Sequence, residues 1–218
     1  LADMYDESSK LLELDFVNGN YMVLVGANSP SSLSSRSIKY LFFDEIDKYP
    51  AFSGKEANPI KLAEERTKTF VDKKIVRVST PTIESGNIWQ SYMGANERKQ
   101  YYVPCPHCGV SQTLKFKQIK WPEEHHGNAD MIRDTAYYEC EHCKHRIDDK
   151  HKMDMLRQGE WRAVNESQVR VVRSVAYQLS SLYSPWVTFG DVAYEFVKSK
   201  DTPSELMNFI NSWLAEPW

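Results

Sequence analysis

The sequence predicts an α/β fold on a parallel sheet, carrying a small cysteine-rich insert and closed by C-terminal helices. Three observations predict it: a strand, helix, strand order between residues 40 and 78, a change to short strands and paired cysteines after residue 104, and two capped amphipathic segments near the end. With 218 residues the chain has room for one sizeable core, or for a core with an inserted module. The expected boundaries are 1–104 for the first core segment, 105–147 for the insert and 148–218 for a second core segment made of a strand and helices.

Taken in order, apolar-rich residues 11–16 and 21–26 flank Asn18-Gly19, a pair that supplies the positive φ of a tight β-hairpin. After a serine-rich stretch, residues 40–43 form a continuous apolar run that predicts a strand buried on both faces. Asn58 followed by Pro59 reads as an N-cap and first helical position, opening a helix of about a dozen residues through Phe70. Residues 75–78 give the next strand, stopped by Ser79-Thr80-Pro81-Thr82; two strands joined through a helix predict parallel pairing. Beyond the insert, residues 171–182 read as a strand region. Thr188 with Asp191 starts a helix whose Val192, Phe196 and Val197 share a face. Thr202, Pro203 and Glu205 announce a second helix carrying Leu206, Phe209, Ile210 and Trp213.

Composition sets limits on function. Hydrophobic residues at 41% and charged residues at 26% are ordinary for a globular protein, and no apolar run approaches the roughly 18 residues that cross a bilayer. Residues 1–15 carry acidic groups and lack the basic start and apolar middle of a signal peptide, so the expected compartment is the cytosol, where paired cysteines favour metal over disulfide. A net charge of -3 offers no global attraction to nucleic acid, so any DNA contact must be local. A start at Leu1 without methionine suggests a piece of a longer protein.

Cys105-Pro-His-Cys108 and Cys140-Glu-His-Cys143 are two Cys-x-x-Cys knuckles, a spacing that lets two thiolates reach one tetrahedral ion at about 2.3 Å each. Residues 109–139, 31 in number, separate the pairs and predict a long arm between the knuckles. Four thiolates make a closed structural zinc site with no open position for water, and His107 and His142 are read as bystanders. The alternatives are redox or simply buried cysteines, or a histidine ligand. Residues 105–150 hold seven Lys and Arg against eight Asp and Glu, so the insert contacts DNA only if Lys115, Lys117 and Lys120 gather on one face.

The apolar run at 40–43 breaks into Asp44-Glu45-Ile46-Asp47, which puts two carboxylates at the carboxyl end of a parallel strand, where α/β proteins bind ligands. This has the form of a Walker B motif: the first carboxylate serves Mg²⁺ and the second orients and deprotonates the attacking water. A solvated acidic loop is the alternative. Ser79-Thr80-Pro81-Thr82, beginning 35 positions after Asp44, places hydroxyls at the next strand tip, where they can sense the γ-phosphate. Arg66 reads as a solvated helix charge, with a phosphate-facing cation as the other option. Gly54-Lys55-Glu56 is rejected as a P-loop, because it lacks both the upstream glycine and the hydroxyl that reaches Mg²⁺.

Together these residues resemble the large terminase subunits of tailed phages, of the lambda-like GpA type. The likeness rests on residues 26–30, 40–47 with Tyr49-Pro50, 63–70, 79–82, 103–109, 182–186 and 209–218. The resemblance implies a partial RecA-like P-loop ATPase sheet with an inserted zinc ribbon. Glu45 would be catalytic, Asp44 would serve Mg²⁺ and ATP, and Ser79, Thr80 and Thr82 would form the coupling motif. It further implies structural zinc on Cys105, Cys108, Cys140 and Cys143, and double-stranded DNA, a small terminase subunit and a portal protein as partners. The intact motor would be oligomeric and work in the bacterial host cytoplasm, away from any membrane. The family's P-loop would precede Leu1 and its nuclease would follow Trp218, so the chain by itself is expected to hydrolyse ATP negligibly. Lys144 stands where a glycine often follows the second knuckle, which tests the turn there. Two other readings stay open: a DExD-type helicase fragment, and a zinc-ribbon assembly module without catalysis.

Overall fold

Alternation of apolar residues with turn chemistry organises the first part of the chain. A computed structural model describes residues 12–34, 36–52 and 58–218, and divides the chain into two units, residues 1–79 and 80–218. In the first, β1 (Glu13–Asp15) and β2 (Tyr21–Val23) pair antiparallel around Gly19, whose φ of 79° only glycine adopts cheaply. This is the expected hairpin, with Leu11 outside the described residues. A short helix, α1 (Pro30–Ser34), leads to β3 (Tyr40–Asp44), which pairs parallel with β4 (Lys74–Val78) in the register Asp44 to Val78.

Between them lies α2 (Pro59–Glu65), capped by the Asn58 side chain accepting the Ile60 N–H (2.9 Å). It is shorter than its sequence predicts. Thr67 is fully buried and donates its hydroxyl to the Glu64 carbonyl (2.8 Å), and the chain continues in tighter turns from Arg66 to Phe70. Strand β3 also departs from expectation, since only one face is covered among the described residues. Phe43 is buried, while Phe42, on the face shared with Val76, is 73% exposed.

The second unit begins with α3 (Asn87–Met93) and β5 (Glu97–Pro104). Strand β6 (Ser111–Gln112) folds back on β5, and β7 (Ile119–Lys120) follows. Next come α4 (Ala129–Thr135), β8 (Tyr137–Glu139) and β9 (Arg146–Ile147), with β7, β8 and β9 forming an antiparallel sheet. After α5 (Lys152–Arg157), β10 (Glu160–Ala163) pairs antiparallel with β5, and β11 (Val175–Gln178) pairs parallel on its other side. The strand expected over 171–182 is therefore shorter. Helices α6 (Phe189–Ser199) and α7 (Pro203–Leu214) finish the unit, and no helix among the described residues is long and apolar enough to cross a membrane. The result is a mixed α/β structure with several small sheets.

One core joins the cysteine-rich part of the second unit to its C-terminal helices. Val103, Leu114, Ile119, Tyr138 and Ile147 from the cysteine-rich part pack with Met155, Leu182, Phe189, Val192 and Phe209. The division at 79/80 and this shared core do not coincide with expected boundaries at 104 and 147. Phe116 wedges between Phe196 and Phe209, with ring centroids 4.7 and 5.2 Å away. Two buried tyrosines tie residues 113–115 to this core. Tyr183 donates to the Tyr101 carbonyl and accepts the Leu114 N–H, both at 2.7 Å, while Tyr138 donates to the Thr113 carbonyl and accepts the Lys115 N–H, both at 3.2 Å.

Helix α6 starts as its sequence predicts: Thr188 accepts the Asp191 N–H and Asp191 accepts the Thr188 N–H, each at 2.9 Å. For α7 the expected capping bond from Thr202 is not formed; the backbone holds the turn, with the Thr202 N–H on the Ser199 carbonyl (3.1 Å). Lys152 is buried, donates to the Val187 carbonyl and lies over the Phe189 ring, while Asp149 accepts the Phe189 N–H (2.9 Å).

Two predictions follow from this packing. A Cβ added at Gly190 would sit 1.9 Å from the Arg133 carbonyl oxygen, backbone that has no room to yield. Gly190→Ala should destabilise the chain by about 1–3 kcal/mol in denaturant unfolding. Burial lowers the Lys152 pKa to about 8 against the pull of Asp149 and Asp191. Between pH 8 and 9.5 the unfolded chain then binds more protons at this site than the folded one, so its contribution to stability rises with pH. Unfolding midpoints should show that rise, and Lys152→Met should flatten it.

Candidate functional site

Asp44 is the last residue of β3, where the parallel ladder ends opposite Val78. Glu45 leaves the strand with φ 53° and ψ 45°, a left-handed conformation that costs a non-glycine residue about 1–3 kcal/mol. A 3₁₀ turn, Ile46–Lys48, follows at once. Ile46 is fully buried and anchors it, the Lys48 N–H bonds the Glu45 carbonyl (2.9 Å), and Phe43 meets Tyr49 edge-on with ring centroids 6.2 Å apart. Burial raises the Tyr49 pKa, against a backbone hydrogen bond from Asp44. The Glu45 carboxylate, 42% exposed, pairs with Lys48 Nζ at 3.0 Å. Such an exposed pair contributes only about 0–1 kcal/mol, so the carboxylate can change partner at little cost.

Ser79, directly after β4, accepts the Asp47 N–H through its hydroxyl (3.2 Å). The structure thus brings Ser79 to the turn that follows Asp44 and Glu45. Sequence spacing alone leaves that bond invisible, as it does the anchoring by Ile46. Thr80 and Thr82 belong to the second unit, where the Thr82 carbonyl accepts the Trp218 N–H (3.0 Å). Arg66 caps the end of α2, its carbonyl accepting the Ile38 N–H (3.0 Å). The rejected Gly54-Lys55-Glu56 lies outside the described residues.

In the second unit, the sulfurs of Cys105, Cys108, Cys140 and Cys143 all lie within 4.8 Å of one another. Cys105 to Cys143 is 3.8 Å and Cys108 to Cys140 is 3.9 Å. Ligands at about 2.3 Å on tetrahedral corners stand about 3.8 Å apart, so the donor set fits zinc. Each knuckle closes with a matching backbone pair. The Gly109 N–H reaches the Cys105 carbonyl (2.9 Å), and the Lys144 N–H reaches the Cys140 carbonyl (3.1 Å). Gly109 has φ 73° and Lys144 φ 62°, so the lysine adopts the glycine conformation. Its ammonium donates to the Glu141 carbonyl (2.9 Å).

Burial pushes the Cys105 thiol up to about 12. At Cys140 burial also acts upward, but the N–H groups of Cys143 and His142 outweigh it and hold the thiol at about 7. The sequence gives no signal for Gln112, a buried amide that donates to Cys140 Sγ (3.5 Å) and accepts the Glu141 N–H (2.9 Å). His107 Nε2 meets the Arg146 carbonyl (3.0 Å) and its ring stacks on His145 at 5.1 Å, while His142 is exposed. Metal analysis of reduced protein should give one zinc per chain, released as pH falls and protons compete for thiolate. Cys105→Ser should lose the metal and lower the unfolding midpoint; a folded, reduced, metal-free sample would overturn the assignment.

Comparison with known proteins now bears on both sites. Residues 2–161 match the family "Phage terminase large subunit gpA, ATPase domain", and residues 174–218 match "Terminase large subunit gpA, endonuclease domain". The resemblance puts the nuclease after Trp218; the second match begins earlier, at residue 174, and spans β11, α6 and α7. Similar proteins include the terminase large subunit of Enterobacteria phage P21, 26% identical, and that of Escherichia phage lambda, 24% identical. Each alignment covers 93% of this chain and 34% of the relative. The chain therefore spans about a third of the length of the curated relatives it matches. No solved structure matches it. The helicase and assembly-module readings are not favoured by these relatives. With the ATPase domain matched over residues 2–161 of 218 and the endonuclease domain over 174–218, the chain belongs to the phage terminase large subunit gpA family.

Proposed function

We propose that this chain is part of an ATP-hydrolysing motor that translocates viral DNA into procapsids. The observation that carries the proposal is the acidic pair at the end of a parallel strand, with Glu45 in a strained turn bonded to Ser79. In this reading the β3 and β4 pair is part of a RecA-like sheet. Asp44 would hold Mg²⁺, whose charge offsets that developing between the phosphates during transfer. Glu45 orients the attacking water and takes its proton, exchanging its weak pairing with Lys48 for that task.

Ser79 is the first hydroxyl of the coupling motif, which continues through Thr80 and Thr82. Because Ser79 binds the Asp47 N–H, a change at Glu45 reaches the end of β4 through one backbone turn. Zinc held by Cys105, Cys108, Cys140 and Cys143 would fix the ribbon as scaffold, since a closed thiolate shell leaves no catalytic position. Expected partners of the intact protein are double-stranded DNA, a small terminase subunit and a portal, in an oligomeric assembly in the host cytoplasm. The endonuclease-family match supports a second, DNA-cutting activity in the same protein.

In the full-length parent, Glu45→Gln should lower ATP turnover by roughly 10²- to 10⁴-fold while nucleotide binding changes little. Steady-state hydrolysis and equilibrium nucleotide binding measured on one preparation check this. Wild-type turnover in that variant would sink the assignment.

A further inference from the structure

Residues 162–173 lie between the two family matches, and their ends are pinned to one residue, Asn96. The Asn96 carbonyl accepts the side-chain amide of Asn165 (3.1 Å), and its side-chain oxygen accepts the N–H groups of Arg173 (3.0 Å) and Ser174 (3.2 Å). The Ser174 hydroxyl accepts the Asn96 N–H (3.0 Å), and the Asn165 side-chain oxygen accepts the Arg98 N–H (2.6 Å). The join is therefore a closed loop. It seats β11, the first element of the endonuclease match, beside β5 of the ATPase match, with Val175 opposite Glu97 and Tyr177 opposite Lys99.

The two faces of this sheet differ. On one, Gln178 donates to the Ala215 carbonyl just past α7 (2.9 Å) and lies beside Gln100, their amides 3.5 Å apart. Side chains alternate along a strand, so Val175, Tyr177 and Leu179 turn the other way, and they are 40%, 57% and 50% exposed. Trp161 of β10, the last residue of the ATPase match, shares their face. It is 38% exposed, and its ring centroid lies 4.9 Å from that of Tyr177 and 5.1 Å from that of Tyr101 on β5. At the Glu97 end of the sheet the pinned loop adds exposed Val169, Val171 and Val172.

Parallel strand pairs normally have both faces covered, and a bare aromatic and aliphatic face of this kind marks a protein contact. Charge points the same way. Lys99 of β5 pairs with Glu97 (3.1 Å), so the cation that the strand carries on this face is already compensated and offers little to a phosphate. The strand that supplies Val175 and Tyr177 belongs to the endonuclease match, and the chain spans about a third of the length of the curated relatives it matches.

We propose that this face is the seat of the endonuclease region of the intact protein, which packs an apolar surface onto Trp161, Val175, Tyr177 and Leu179. The proposal rests on the reading of the parent as a motor with a second, DNA-cutting activity. It makes the nuclease a body docked on the sheet that β5 and β11 share, in place of one hung from a free linker.

The test is hydroxyl-radical footprinting read by mass spectrometry, on the zinc-loaded 218-residue chain and the full-length parent, each at a concentration where sedimentation shows a monomer. Trp161 and Tyr177 should label readily in the chain. In the parent their labelling should fall to that of Tyr138, which is fully buried. Ending the parent after Trp218 should restore it, as should Tyr177→Asp with Leu179→Asp in the full-length protein, whereas Tyr177→Phe should keep the protection. Retained zinc and unchanged ATP turnover show that each full-length variant is folded. The proposal is overturned if Trp161 and Tyr177 label equally in chain and parent, or if protection survives either the truncation or the double aspartate variant. It is equally overturned if the chain alone gains protection as its concentration rises, which would make a second copy the occupant, or if the parent gains it only with DNA added. A parent that cuts and packages DNA with this face still labelled would sink the docking surface alone. A parent that protects the face but neither cuts nor packages DNA would sink the proposed function and leave the surface standing.

Discussion

The convergence of four cysteine sulfurs is the constraint on which the second unit depends. Two knuckles 31 residues apart in the chain must meet within 4.8 Å, and the arm between them has to return on itself to allow it. That return carries Phe116 between α6 and α7 and sets Tyr138 against Phe189, with ring centroids 5.3 Å apart. The four sulfurs form a donor set compatible with zinc, and an ion held there would add binding energy that is also folding energy. The cysteine-rich part is therefore continuous with the helical core that it packs against.

A different constraint governs the acidic strand end. Parallel pairing places Asp44 at a sheet edge, and the left-handed backbone at Glu45 then turns the chain away within one residue. Strain of this kind persists only where the surroundings over-determine it, here through fully buried Ile46 and the bond from Asp47 to Ser79. The same bond gives the strand end after β4 a physical connection to the carboxylate pair.

Polar groups at α6 and around the cysteines follow one rule. Around α6 the charges are matched: buried Lys152 by the Val187 carbonyl and nearby Asp149, and partly exposed Asp191 by Arg133 (2.6 Å) and the capping bonds. Around the cysteines Gln112 supplies both a donor and an acceptor.

By itself the sequence determined the hairpin at Asn18-Gly19, the caps at Asn58 and Thr188, the strand that ends in Asp44, and the two cysteine pairs. Each of these rests on local chemistry: a positive φ, a side chain reaching its own backbone, or ligands two residues apart. It also carried the family, because motif order is a property of the chain. Only the tertiary structure decided where α2 stops, since the buried Thr67 hydroxyl competes for the Glu64 carbonyl. It alone decided that one face of β3 lies bare among the described residues, that Lys144 adopts a glycine's φ, and that the cysteine-rich part shares its core with α6 and α7. Those outcomes depend on contacts between residues far apart in sequence, whose burial and partners no local pattern encodes.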